Sequence, residues 1–301
     1  MGGHTTEPAP QELRILVAVA DTGGFSAAAS ALGLTQSAVS HAVRGTEAKI
    51  GAVLFDRGRS GARPTPAGER AVAHARRILR MYEVLTAEAR GAGRGTPGRD
   101  GGDTAEGPLR IAAFRSAALH LLPPALERLT ARHPGIRPEV RVVRELGPGT
   151  AGEVAAGRAD LGIATLGGPD PAPSGLLTGE LLRETYSFVH PAGHPDPKAL
   201  PLLDWDENCG SYTRDWWRSQ DWLPRATVKA EDDAMVLTMV GRGLGMAVLP
   251  ELSLREAGDA VGITCLGPGG PVRSVGYVTT PELAQTLAVR ALIRELRSSR
   301  G

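Results

Sequence analysis

Residues Ser26 to Glu47, "SAAASALGLTQSAVSHAVRGTE", restrict the fold more than any other stretch of the chain. With Gly33 taken as a turn glycine, small Ala29 stands four positions before it, and Leu32 and Leu34 flank it. Val39 and Ala42 follow six and nine positions after it. Two short helices that cross steeply need small residues where they touch and a turn that glycine makes without steric cost. The register therefore predicts a helix-turn-helix. Ser26 is expected to cap the first of its helices, with Phe25 stapling it, and Thr35 to cap the second. An ordinary solvated helix pair is the blander alternative.

The outward side of the second helix carries Gln36, Ser37, Ser40, His41 and Arg44. All of these side chains bond to base edges or phosphates when such a helix enters a major groove. "AVLFDRGRSGARPTP" then predicts a hairpin whose Arg57, Arg59 and Arg63 suit phosphate or minor-groove contact. Charge supports the same use. Between Thr35 and Arg80 nine Lys/Arg oppose three acids, a local +6 in a chain of net +1, so the remainder carries −5.

Further along, Leu13, Leu16, Val17 and Ala20 mark one face of a leading helix. Thr65-Pro66 opens a long one, on which Val72, Ala75, Leu79 and Tyr82 recur, widened by Ile78 and Leu85. It is too long for the small head to bury, so a partner helix is expected. Residues 91–107, "GAGRGTPGRDGGDTAEG", read as a flexible linker. The second half alternates: "LRIAAF" as strand, "SAALHLLPPALERLTARH" as helix, "EVRVV" as strand, "TAGEVAAGRA" as helix, "DLGIAT" as strand. "TYSFVH", "GMAVLP", "VGITCL" and "RSVGYVTT" follow as strands, with helices over "DDAMVLTMVGRG" and from Pro281 to about Arg297. The alternation predicts parallel β/α packing.

Several function classes fall away. Hydrophobic residues at 42% and charged residues at 22% exclude a disordered chain. No apolar run approaches the roughly 20 residues of a membrane span. "MGGHTTEPAP" lacks the basic start and apolar core of a secretory signal, so a cytoplasmic protein is expected. Cys209 and Cys265 are too few for a disulfide framework. "GRGTPG" follows a helix and not a strand, which excludes a dinucleotide site. His190 and His194 are each followed by proline and have no further ligands nearby, so no metal site is read. No cofactor motif and no nucleophile–base pair is present, so no catalytic residue and no enzyme are expected. Trp216, Trp217 and Trp222 fit core packing or, alternatively, an aromatic ligand wall.

"FSAAASALGLTQSAVSHAVRGTEAKIGAVLFDR" followed by "PTPAGERAVAHARRIL" resembles the winged helix-turn-helix and linker helix of the LysR-type transcriptional regulators. "LRIAAFRSAALHLLPPALERLTARHPGI", "VAAGRADLGIA", "HPAGHP" and "VGRGLGMAVLP" are similar to landmarks of that family's effector domain. The resemblance implies a multidomain fold. Its parts are an all-α winged helix-turn-helix head at 11–66, a linker/dimerisation helix at 67–90 and the Gly-rich linker at 91–107. A periplasmic-binding-protein-like α/β effector domain takes 108–301, lobe I being 108–165 and 267–301 and lobe II 166–266.

The lobe crossings are expected near Thr165–Gly168 and Gly258–Leu266. Partners implied are double-stranded promoter DNA with half-sites about 10 bp apart or a multiple of that, a small-molecule effector, a dimer or tetramer of the chain, and RNA polymerase. Arg115 and Ser116 after the first effector-domain strand, Thr165 after the third, and Cys209, Ser211 and Tyr212 in the second lobe are the expected effector residues. A carboxylate-bearing or otherwise polar metabolite is the expected ligand.

The chain departs from the family at Gly45-Thr46, where the recognition helix is expected to fray or end early, and at Pro64 in the wing. An α/β enzyme, or a solute-binding protein with an incidental helix-turn-helix head, is the alternative.

Overall fold

The structure, a computed structural model, describes residues 7–58, 61–94, 105–167, 173–207, 215–224 and 226–298. It divides into two compact units. The first holds α1 (Pro10–Thr22), α2 (Phe25–Leu32), α3 (Gln36–Ile50), the hairpin β1 (Phe55–Gly58) and β2 (Gly61–Pro64), and α4 (Pro66–Arg94).

Helix α1 starts with Pro10 at its first position, while the Glu12 carboxylate reaches back to accept from the Ala9 N–H at 2.7 Å. Its buried face is Leu13, Ile15, Leu16 and Val19, with Val17 and Ala20 only half-buried, so the stripe is rotated from the expected one. With Ala28, Ala29, Val39, Val43, Leu54 and Phe55 these residues form the head's core. Full burial of side chains the size of Val39 and Val43 contributes about 1.5–3 kcal/mol each.

Gly24, not Ser26, caps α2: its backbone is extended, and Ser26 lies inside the helix with its carbonyl accepting from the Ser30 hydroxyl. Gly33 takes the left-handed conformation (φ 65°) that ends α2, and its N–H bonds back to Ala29 and Ser30. Thr35 caps α3 by accepting from the Ala38 N–H at 3.2 Å. Leu34, expected to pack beside the turn, is exposed.

Helix α3 continues unbroken through Gly45 and Thr46 to Ile50, against the expected early end. The Thr46 hydroxyl donates to the Ala42 carbonyl at 2.9 Å, which lets a buried polar residue sit where an apolar one is usual. Thr65 caps α4 at Gly68 N–H (3.0 Å), and the helix runs beyond residue 90 to Arg94, taking residues expected in the linker. Residues 95–104 of that linker lie outside the described residues.

The second unit begins with β3 (Glu106–Ala113), which also takes the end of the expected linker. The single helix expected over "SAALHLLPPALERLTARH" is broken into α5 (Arg115–His120) and α6 (Leu122–Arg132), because Pro123-Pro124 cannot continue a helix but fit a first turn. Then come β4 (Gly135–Val142), α7 (Gly149–Ala155), β5 (Leu161–Leu166), β6 (Leu177–Pro191), β7 (Leu202–Trp205), a helical turn α8 (215–218), β8 (Ala226–Ala230), α9 (Asp233–Gly241), β9 (Ala247–Pro250), α10 (Glu251–Leu254), β10 (Val261–Cys265), β11 (Val272–Thr279) and α11 (Leu287–Ser298).

Among the described strands only β3, β4 and β5, together with the small pair β7–β8, pair in parallel. Strand β11 runs antiparallel to β5 and β6, and β9 and β10 run antiparallel to β6, so the expectation of parallel packing throughout is corrected. The alternation along the sequence conceals this, because only a short 3-10 turn at Gly267–Gly269 stands between β10 and β11.

The fifteen-residue β6 belongs to two sheets. Leu177–Thr185 pair with β11, whereas Ser187–Pro191 pair with β10 and Tyr186–Val189 with β9. The chain therefore passes between sheets inside β6 at about Tyr186, and returns between Cys265 and Val272. The first passage lies downstream of the expected one near Thr165–Gly168; the second begins at the end of the expected Gly258–Leu266 stretch.

Candidate nucleic-acid interface and ligand cleft

On the head, α3 presents one polar side. Gln36, Ser37, His41 and Arg44 are exposed, and Ser40 is half-buried beneath the Arg44 guanidinium, which donates to its hydroxyl at 3.3 Å. Ser37 shares a hydrogen bond with the capping Thr35 at 3.0 Å, and Ser26 is exposed on α2. The hairpin carries Arg63, exposed, opposite Asp56, and Arg57 opposite Ala62. Arg59 lies outside the described residues.

Three ties hold the hairpin. The Glu47 carboxylate accepts from the Leu54 and Phe55 N–H groups at 2.8 and 3.3 Å. Ala62 N–H bonds Gly23 O at 2.8 Å, and a Cβ on Gly61 would stand 2.3 Å from that same oxygen. A third contact closes the base, where Gly68 packs so tightly on Leu54 that a Cβ would meet its carbonyl at 1.9 Å.

In the second unit the parallel strands β4, β3 and β5 lie side by side; Glu145 and Ser116 follow β4 and β3, whereas Thr165, expected after its strand, is inside the last pairs of β5, opposite Val275. Ser116 is buried at the second position of α5, whose cap, Phe114, uses no side chain. The Thr165 hydroxyl is buried and unpaired.

Glu145 fills the space between strand ends. It accepts from the Thr150 N–H at 2.8 Å, from the Thr150 hydroxyl, and from the Thr165 N–H at 3.3 Å. Burial pushes its carboxyl above the usual range, against the opposing pull of those bonds. Arg115, expected to receive an anion, is instead paired with Glu256 and stands 3.6 Å from Asp233. Its Nη1 is buried without a hydrogen-bond partner. Cys209, Ser211 and Tyr212 lie outside the described residues.

Two arginines that sequence reasoning passed over organise this region. Arg144, just after β4, donates to Glu207 at 2.7 Å and to the Glu231 carbonyl at 3.0 Å, joining the strand ends of one sheet to the segments after β7 and before α9. Arg273 pairs with Glu184 across β11 and β6 at 2.6 Å, both buried, with its guanidinium 4.9 Å from the Phe114 ring centroid. The other Glu184 oxygen accepts from Leu252 N–H at 2.6 Å. A buried pair is costly to break, about 3–5 kcal/mol, because one partner's charge is left stranded. Neither arginine belongs to a local motif. Only the Gly/Pro turn "RELGPG" after a strand hinted at Glu145.

Trp205 is core, and Trp216 and Trp222 stack edge-on beside Phe188. Among the described residues no His/Cys/Asp/Glu group is arranged to hold a metal, and no helix is long and apolar enough to cross a membrane.

A basic helix-turn-helix with a hairpin wing, followed by a two-sheet α/β domain, defines a DNA-binding transcriptional regulator with an effector domain. Residues 10–69 match the model of the bacterial regulatory helix-turn-helix protein, lysR family, and residues 102–300 that of the LysR substrate binding domain. The chain belongs to the LysR family.

The probable HTH-type transcriptional regulator LrrA of Synechococcus elongatus is 36% identical over 253 residues, 80% of this chain and 81% of that protein. The small neutral protease regulatory protein of Streptomyces coelicolor is 30% identical over 94% of this chain and 85% of its own. In fold, a cysteine-substituted form of full-length OxyR from Pseudomonas aeruginosa is similar with TM-score 0.70 at 23% identity, over 97% of this chain and 98% of that one. Full-length CbnR complexed with its target DNA gives 0.63 at 19%, over 97% and 99%.

Proposed function

We propose that this regulator reads its operator with Gln36, Ser37 and His41 and anchors on phosphate with Ser40 and Arg44. Ser26 and Thr35 flank the contact, and Arg57, Arg59 and Arg63 reach the backbone or minor groove from the wing. The observation that carries this reading is the exposed polar side of α3 standing on a closed apolar core. The chain acts as a dimer through α4, or as a pair of such dimers, and as a regulator and not a catalyst.

A small polar effector binds at the ends of β3, β4 and β5, against Ser116 and the Thr165 hydroxyl, with Cys209, Ser211 and Tyr212 contributing from the other lobe. Because the Glu145 carboxylate already accepts from the Thr150 and Thr165 N–H groups, an uncharged hydrogen-bonding effector suits this site better than a carboxylate. Effector binding changes lobe closure and thereby the placement of the two heads on promoter DNA.

The test is a gel-shift titration on the DNA upstream of the chain's own gene, repeated across salt. His41→Ala is expected to cost about 1–3 kcal/mol on the operator and little on random DNA. Arg44→Ala should weaken both equally and lower the salt slope by about one. Wild-type binding without sequence preference refutes the reading.

A further inference from the structure

Helix α11 carries Arg290, Arg294 and Arg297 at spacings of four and three, so all three share one face. They line an open groove of about 510 Å³, with Leu177, Tyr277 and Ile293 among its walls. The groove is distinct from the strand ends that hold Ser116, Glu145 and Thr165, and shares no residue with them.

Two features make it a built site. The Tyr277 ring packs against β6 only because Gly179 has no side chain: a Cβ there would stand 2.4–2.5 Å from two ring carbons and the hydroxyl oxygen. Arg297 then stacks 5.5 Å from that ring's centroid and donates to its hydroxyl at 2.9 Å, fixing both side chains.

The second feature is uncompensated charge. Glu295, buried on the same helix, is shared by Arg128 at 3.3 Å, Arg132, and Arg294 at 3.5 Å. The groove's own lining holds Arg290, Arg294 and Arg297 and no carboxylate. The Arg290 guanidinium has no hydrogen bond or ion pair among the described residues.

We propose that this groove is a second ligand site, for a small organic anion with a flat apolar body. The body lies against the Tyr277 ring, Leu177 and Ile293, and its carboxylate or phosphate meets Arg290 and Arg294 in fork-to-fork pairing.

Calorimetric titration of the full chain at low salt, with phenyl phosphate and separately with phenylacetate, tests the proposal. At least one probe is expected to bind saturably at one site per chain. Arg290→Ala/Arg294→Ala should weaken that binding tenfold or more, while Arg290→Lys/Arg294→Lys loses less. Gly179→Ala, which displaces the ring, should weaken it with operator binding retained. Ser116→Ala should leave it unchanged, which separates the groove from the strand-end site. If the double alanine variant fails to fold, Arg290→Ala alone, removing one exposed guanidinium, is expected to weaken binding at least threefold. The proposal is overturned by no saturable binding of either probe, by equal binding to the arginine variants, or by loss of binding in Ser116→Ala.

Discussion

Gly45 shows how far a single position departs from what its residue type suggests. Glycine disfavours a helix interior, yet α3 passes through it because tertiary burial of Val39, Val43 and Thr46 on the same helix outweighs that preference. The space beside it is open: an added Cβ would meet nothing nearer than the Glu12 Oε1 at 4.0 Å. Gly45→Ala is therefore expected to raise stability by about 0.5–1 kcal/mol, read as a higher urea midpoint with an unchanged slope. A lower midpoint would mean that the position needs glycine for a reason other than space. Thr46 illustrates the complementary case, in which a polar residue is accepted inside a core once its hydroxyl is spent on the preceding turn.

Among the elements, α1 and α3 are joined at their outer ends by Lys49 and Glu12, 2.8 Å apart. The hydrogen bond from Lys49 holds the Glu12 carboxyl below its ordinary value of 4.5. A carboxyl lowered in the folded state stabilises above its unfolded value and loses that contribution as pH falls through the folded one. The stability gap between wild type and Glu12→Gln should thus be open above the ordinary carboxylate range and shrink as pH falls below it; a gap that does not change with pH would assign the loss to packing. Helix α4 makes a different demand. Its Ile78, Met81, Tyr82 and Leu85 are exposed at helical spacing, with Leu85 at 64%. Leu85→Asp is expected to shift sedimentation towards monomer and to weaken operator binding more than random-DNA binding; an unchanged assembly state would remove α4 from the interface.

The elements also show what a reader of the sequence sees and misses. The turn at Gly33, the cap at Thr35 and the Thr65-Pro66 start were legible because each is a local device encoded within four residues. The start of α9 was legible for the same reason, Asp232 accepting from Met235 N–H at 2.8 Å. The sharing of β6 between two sheets, the Arg144 bridge and the Arg273–Glu184 pair were not. They depend on residues far apart in sequence, 63 positions for Arg144–Glu207 and 89 for Arg273–Glu184, and no periodicity records such a partner.

For the whole molecule, the strand-end site and the DNA-reading head are separable in experiment although they serve one function. Ser116→Ala should lower effector affinity, measured by titration once an effector is in hand, while leaving effector-free operator binding intact. Loss of both together would indicate misfolding, and loss of neither would take Ser116 out of the site. A further consequence arises from the way Gly23 grips the hairpin through Ala62, with Glu47 and Gly68 closing its base. The wing and α3 form a caliper with one setting. With both on DNA as proposed, a duplex whose grooves do not present that span would have to be bent or narrowed to fit, at an elastic cost set by its own sequence. Operators would then be discriminated partly at base pairs that no side chain touches.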